Sequence, residues 1–318
     1  MIDPSHPAQI GLVLGGGGAR GLAHAGVLKV LDREGIPISF IAGTSMGGLV
    51  GTAYAAGVPA RAIEAELIDL SRRSRLIQLA DWLPSLAGLF SGNRLQEYFA
   101  RWFGVDRTFG ELACPLALTA TDLRSGREVI LDAGSVIQAM RATMSIPGIY
   151  QAVQVGQKRL VDGGVLNNVP ADVARRMGAK RLIAVDVLPS FDQNRPDAPV
   201  VEPQLMPPMF PPVARDIWHT IFLSISALTA YRLAEAQPEV LLRPALPQDV
   251  TLLFGFTRAD ELIALGEQAA EAALPDIRRM LAEAAETAPT EAASTDAFAQ
   301  AGFQAEDGDT QVEPEALG

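Results

Sequence analysis

The sequence predicts an α/β protein in which helices flank strands that run mostly parallel. The main signal is a rhythm. At Ile10–Leu14 and again at Ile38–Ala42, a short run of aliphatic, β-branched or aromatic residues ends in a glycine cluster and passes straight into a helical pattern. Strand, tight turn and helix in succession is how a parallel neighbour is reached, because parallel strands need a crossover. The second signal is bulk: 318 residues, 48% of them hydrophobic, with a mean hydropathy of +0.18, suffice for a substantial core.

Charge and cysteine usage narrow the function classes. The net charge is −11, but nine acids and no Lys or Arg fall between Met280 and Gly318, so the rest of the chain is close to neutral. An acidic, Ala- and Thr-rich end of this kind is expected to stay disordered. It repels polyanions, and no basic cluster elsewhere offers a nucleic-acid surface, so nucleic acid is excluded as a partner. The single cysteine, Cys114, rules out an internal disulfide or a zinc site built on cysteine pairs and reads as a small buried apolar residue. The longest largely apolar run, Ile217–Ala230, is too short to span a bilayer. Met1-Ile2-Asp3-Pro4 does not resemble a secretory signal, so a cytoplasmic location is expected.

Along the chain, Ile10–Leu14 is the first strand and Leu22–Glu34 the first helix, ended by Gly35 and Pro37. Between them lies Gly15-Gly16-Gly17-Gly18-Ala19-Arg20-Gly21. Bare backbone N–H groups at a strand-to-helix turn suit an anion, and three meanings compete: a dinucleotide pyrophosphate, another phosphate, or an oxyanion hole. The dinucleotide reading needs an acid at the end of the second strand, where Ala42-Gly43-Thr44-Ser45 stands instead. A P-loop is excluded because no Gly-Lys-Ser/Thr follows either cluster. The oxyanion hole is preferred.

Gly43-Thr44-Ser45-Met46-Gly47 fits a nucleophile elbow, with Ser45 on a sharp turn between two glycines. Pro59–Ser71 and Asn93–Phe103 read as helices, and the apolar stretch Leu76–Phe90 between them as core packing or, less favoured, an interfacial lid. Leu116–Thr121 and Glu128–Leu131 read as strands, and Asp132–Thr143 as a capped helix. The strand edge Arg159-Leu160-Val161 runs into Asp162-Gly163-Gly164. Ala171–Gly178 reads as a helix and Arg181–Val187 as a strand, with Asp186 near its end a second carboxylate, read as structural support. Pro189–Pro212 holds eight prolines and is an extended loop; Val213–Ala236 and Ala259–Ala285 are helices.

A serine nucleophile needs a base, and the chain offers only His6, His24 and His219. His6 lies ahead of the first strand, His24 reads as a packed histidine, and His219 lies inside a helical pattern. Asp162, held by glycine backbone, is the alternative base.

Four blocks in order, Gly16-Gly17-Gly18-Ala19-Arg20-Gly21, Gly43-Thr44-Ser45-Met46-Gly47, Arg141–Gly148 and Val161-Asp162-Gly163-Gly164, resemble the patatin-like phospholipase family, over about Ile10–Pro170. The chain is similar to short bacterial members of its neuropathy-target-esterase-like branch. The resemblance implies a three-layer α/β/α fold with a mostly parallel central sheet, and a Ser-Asp dyad without histidine. Ser45 matches the nucleophile, Asp162 the base, and Gly16, Gly17 and Gly18 the oxyanion hole. Arg20, Gly21, Gly43, Gly47, Gly163 and Gly164 complete the motifs. It implies hydrolysis of acyl esters in phospholipids, lysophospholipids or neutral lipids, with no cofactor and no metal, and transient contact with a membrane surface. The alternatives are a catalytically idle protein on the same fold and, behind it, a dinucleotide-binding protein. The expected organisation is a catalytic core at 8–171, the remainder of the same domain at 172–285, and the acidic tail at 286–318.

Overall fold

The computed structural model describes residues 2–3, 6, 8–72, 82–85, 88–189, 211–252 and 254–286. The acidic tail beyond 286, nearly all of the proline-rich stretch and much of the 76–90 segment lie outside them.

The chain opens with β1 (Ile10–Leu14), a 3-10 turn (Gly18–Leu22) and α1 (Ala23–Arg33), followed by β2 (Phe40–Gly43), α2 (Ser45–Ala55) and α3 (Ala60–Ser71). A small antiparallel pair, β3 (Trp82–Ser85) and β4 (Gly88–Phe90), leads to α4 (Asn93–Phe103). Next come β5 (Leu116–Asp122), β6 (Arg127–Leu131), α5 (Val136–Thr143), β7 (Val153–Val155) and β8 (Lys158–Asp162). The rest is α6 (Ala171–Arg176), β9 (Arg181–Val185), α7 (Pro212–Ala236), β10 (Val240–Leu242) and α8 (Ala259–Glu286).

The central sheet is parallel through β10-β9-β1-β2-β5, and β6, β8 and β7 add antiparallel pairs beyond. Side chains alternate across a strand, so β1 feeds two cores. Leu12 and Leu14 join the large cluster under α1, α2, α3 and α8, whereas Val13 joins Ala171, Val173 and Ala174 of α6 and Leu233 of α7. A strand buried on both faces is the mark of a three-layer architecture.

Several boundaries differ from the sequence expectation. The helix expected at Asp132 starts at Val136, because Ser135 caps it by accepting a hydrogen bond from the Gln138 amide. β7 and β10, three residues each, carry too short a pattern to be read without their partners. α7 is a long helix as expected, with Phe222 and Leu233 buried and Val213, Ile217 and Tyr231 exposed. Among the described residues, no helix is long and apolar enough to cross a membrane.

Candidate active site

The register of β5 brings the two candidate residues together. β6 lies along one edge of β5 from Leu118 to Asp122. β2 pairs with Leu116–Leu118 in parallel and β8 with Ala120–Asp122 in antiparallel, so both take the opposite edge. They run towards one another along it and stop, β2 at Gly43 beside Leu118 and β8 at Asp162 beside Ala120. The gap is where the chain turns at Thr44 and Ser45.

The elbow is strained and braced. Thr44 is extended and Ser45, the first residue of α2, has φ of +52°, left-handed for a residue with a side chain. Such a conformation costs about 1–3 kcal/mol and persists only where its surroundings over-determine it. Here the Thr44 amide donates to the Leu14 carbonyl (3.1 Å), and the Ser45 amide donates to Thr143 Oγ1 (2.9 Å). A Cβ on Gly47 would collide with the carbonyl oxygens of Leu14 and Gly15, which is why the elbow requires glycine there. Beneath it, Thr44 and Thr119 share a hydroxyl–hydroxyl bond (2.6 Å), and Thr44 donates to the Asn167 carbonyl (3.0 Å).

Asp162 faces the serine. Its carboxylate accepts a hydrogen bond from the Gly164 amide (2.8 Å) and lies close enough to the Ser45 hydroxyl for that group to lower its pKa, while its own amide donates to the Ser145 carbonyl (2.9 Å). A Cβ on Gly163 would overlap Thr119, so the turn after the aspartate packs on β5 only as glycine. Ser45 and Asp162 are each 6% exposed. Burial pushes the Asp162 carboxyl up to about 6, and the nearby Ser45 hydroxyl and the Gly164 amide only partly oppose it. Among the described residues no cation is among its partners.

The glycine loop lies against the elbow: a Cβ on Gly16 would sit 3.1 Å from that of Ser45. Its amides divide into used and unused. Gly15 donates to Val185 (3.0 Å), Gly16 to Asn168 (3.1 Å), Ala19 to Leu252 (3.3 Å) and Arg20 to Gly17 (3.1 Å). Among the described residues the amides of Gly17 and Gly18 have no acceptor. Gly16 is thus already committed as a donor, and what it supplies is room beside Ser45.

Arg20 is buried and spends its guanidinium on three carbonyls, Val187 (2.6 Å), Pro247 (3.0 Å) and Val250 (3.1 Å), which ties the loop to the C-terminal segment. Burial pulls its pKa down to about 10. His24 is fully buried, with Nε2 2.7 Å from the Gly15 carbonyl, and burial pulls its pKa down to about 4. The imidazole is therefore neutral, and the nitrogen facing that carbonyl carries its proton. Among the described residues Ser45 bonds to no histidine: its amide donates to Thr143, and its hydroxyl lies beside Asp162. Asp186 accepts from Arg243 (3.3 Å) and the Leu188 amide (3.2 Å), as expected of a structural carboxylate. Cys114 is fully buried.

Three bracing residues had no role in the sequence reading. Asn168 donates to the Gly16 carbonyl (3.1 Å), accepts from its amide and abuts Gly164, so it staples the glycine loop to the aspartate turn. Thr143 and Ser145, from the block Arg141–Gly148, touch one member of the pair each. Arg141 keeps that segment in place by donating to Ser145 Oγ (2.6 Å) and stacking over the Tyr150 ring at 5.4 Å. The only signal for these roles in the sequence was proximity to the motifs.

Beside the elbow opens a cavity of about 160 Å³, lined by Leu22, Met46, Leu49, Met144, Tyr150 and Phe256 among others. A mostly apolar hollow beside a few convergent polar groups is the usual form of a small-molecule site.

Comparison with known proteins places this geometry in context. A family model described as patatin-like phospholipase matches residues 12–175. The chain is similar to the mouse patatin-like phospholipase domain-containing protein 6, at 35% identity over 182 residues, which is 56% of this chain and 13% of that protein. It is also similar to an uncharacterised NTE family protein of Mycobacterium tuberculosis, at 30% identity over 286 residues, 85% of this chain and 48% of that one. The chain therefore spans a small part of the first relative and about half of the second. The crystal structure of VipD from Legionella pneumophila aligns over 85% of this chain and 67% of that chain, with a TM-score of 0.46 and 11% identity; the fold assignment rests on the strand order and the family match instead.

Proposed function

The chain belongs to the patatin-like phospholipase family, and we propose that it is a serine acyl hydrolase that cleaves carboxylic esters of lipids through a Ser45–Asp162 dyad. The observation that carries this reading is the placement of a strained, buried serine against a buried carboxylate that, among the described residues, has no cation beside it. A base with its pKa near 6 is mostly ionised at neutral pH yet retains appreciable proton affinity.

The reaction follows from the positions. Ser45 Oγ attacks the ester carbonyl and its proton passes to Asp162. The negative charge that develops on the carbonyl oxygen is met by the free amides of Gly17 and Gly18, with the N-terminal end of α2 adding its partial positive charge. Collapse expels the alcohol, which takes the proton from Asp162 and leaves an acyl-Ser45 ester. Water then gives a proton to Asp162 and attacks the acyl carbon. As the second intermediate collapses, Ser45 recovers its proton and the fatty acid leaves. One oxyanion donor is worth about 3 kcal/mol of barrier, and no imidazole is needed for the proton to find its place.

The test is covalent. A fluorophosphonate probe should label the wild-type protein and not Ser45→Ala, and purified protein should release fatty acid from a panel of phospholipids, lysophospholipids and neutral lipids. Labelling that survives Ser45→Ala, or a folded wild type that neither labels nor turns over any ester, would remove this reading.

A further inference from the structure

The cavity beside the elbow, of about 160 Å³, has a far smaller neighbour of about 20 Å³, room for about one water, between α2, α3 and α4. Four side chains line both: Leu49 of α2, Leu67 and Leu70 of α3, and Phe99 of α4. They form a partition. Leu49, Leu67 and Phe99 are almost wholly buried and Leu70 is half-buried, so the partition stands on the packed face of α2, α3 and α4.

The two spaces follow one another along α2. Met46, the residue after Ser45, lines the first; Leu49 lines both; Ala53 lines the second. These positions lie on one stripe of the helix, and at about 1.5 Å per residue the stripe runs about 10 Å away from the serine. An acyl chain whose carbonyl sits at Ser45 has this stripe beside it, and its far end meets the partition.

We propose that Leu49, Leu67, Leu70 and Phe99 set the upper length of the acyl chain this protein accepts, and that a longer chain would take the room freed by shortening these side chains, joined to the small gap behind them. The inference rests on the hydrolase reading above and concerns one unbranched acyl chain. The competing account is that the smaller cavity is an ordinary packing gap of no consequence for substrate.

The experiment measures kcat/KM for p-nitrophenyl esters from butyrate to palmitate, at concentrations where they stay monomeric. In the wild type each added methylene should raise kcat/KM about fourfold until the chain reaches the partition, after which the gain stops. Leu67→Ala and Phe99→Ala should move that break to longer chains, raising the ratio of palmitate to octanoate turnover at least about tenfold. Leu70→Phe, an enlargement at a half-buried position, should move it to shorter ones. If the alanine variants do not fold, Leu67→Val and Phe99→Leu test the same shift on a smaller scale. A break that stays in place in folded variants, with all chain lengths changed by one common factor, overturns the proposal. Absence of any Ser45-dependent ester turnover in the wild type would instead overturn the hydrolase reading, and this inference with it.

Discussion

Two buried aspartates, Asp162 at the end of β8 and Asp186 just after β9, stand at strand ends of one sheet, and they differ in what they face. Each is nearly inaccessible, at 6% exposure, and burial pushes both carboxyls above the ordinary carboxylate range. Asp186 is answered by Arg243 and, at longer range, by Arg20. Among the described residues Asp162 is answered only by a nearby hydroxyl and one amide. A cation stabilises a carboxylate by making it a poorer base, whereas a hydroxyl leaves it needing a proton. Burial alone thus does not single out a functional carboxylate; burial without a counter-charge, against a group whose proton could move, does. Asp122 makes the same point from the other side, since hydrogen bonds from Ser125 and the Arg159 amide hold it down at about 2.

The largest expected effect breaks the two apart. Asp162→Asn should lower kcat for a p-nitrophenyl ester by about 10⁴-fold or more, the order seen when one member of a catalytic unit is removed. Asp186→Asn should stay within about tenfold of wild type. Equal losses in the two folded variants would dissolve the distinction.

A smaller loss is expected one residue further from the chemistry. Asn168→Ala releases the staple on the glycine loop and should lower kcat about a hundredfold with KM little changed, the scale of a weakened oxyanion site. Loss of ester binding without loss of kcat would place Asn168 elsewhere.

The pH dependence sharpens the comparison. The base works ionised, so kcat/KM should fall tenfold per unit as pH drops below about 6. Asp186→Asn should leave that limb where it is. Stability carries the same signature with its own sign. The native Asp162 carboxyl holds its proton up to about 6, the unfolded one only to about 3.9, so the native state binds the extra proton between them and wild-type stability falls there as pH rises. Asp162→Asn is free of this cost. Its advantage over wild type should grow by about 1.4 kcal/mol per unit across that window and level off at about 3 kcal/mol above pH 6. Denaturant midpoints at several pH values check it, and a destabilised Asp162→Asn would sink the account of a buried, unanswered charge. His24 contributes the opposite slope: its native pKa is depressed to about 4, so the unfolded state binds the extra proton and stability is lost as pH falls from about 6.5 to 4.

The smallest effect is the one a histidine triad would make large. His219→Ala should leave kcat within about twofold of wild type. A loss of several orders of magnitude in a folded His219→Ala protein would replace the dyad with a triad.

Read alone, the sequence determined the parts whose physics is local. The glycine run, the elbow around Ser45, the aspartate turn and most of the helices announce themselves within a dozen residues, through apolar period and through small residues where backbone must pass close to backbone. Even His24 was legible as a packed histidine, although not the carbonyl it holds. Tertiary structure decided what lies between the parts. That β2 and β8 approach end to end along one edge of β5 follows from pairings between distant segments, and it alone makes Ser45 and Asp162 a pair. Asn168, Thr143 and Ser145 act on backbone groups far along the chain, so nothing beyond their closeness to the motifs marks them. The partition at Leu49, Leu67, Leu70 and Phe99 is still less visible, because an apolar side chain that bounds a cavity and one that fills a core have the same local pattern. Periodicity records which way a residue faces, and only the packed chain records what it faces.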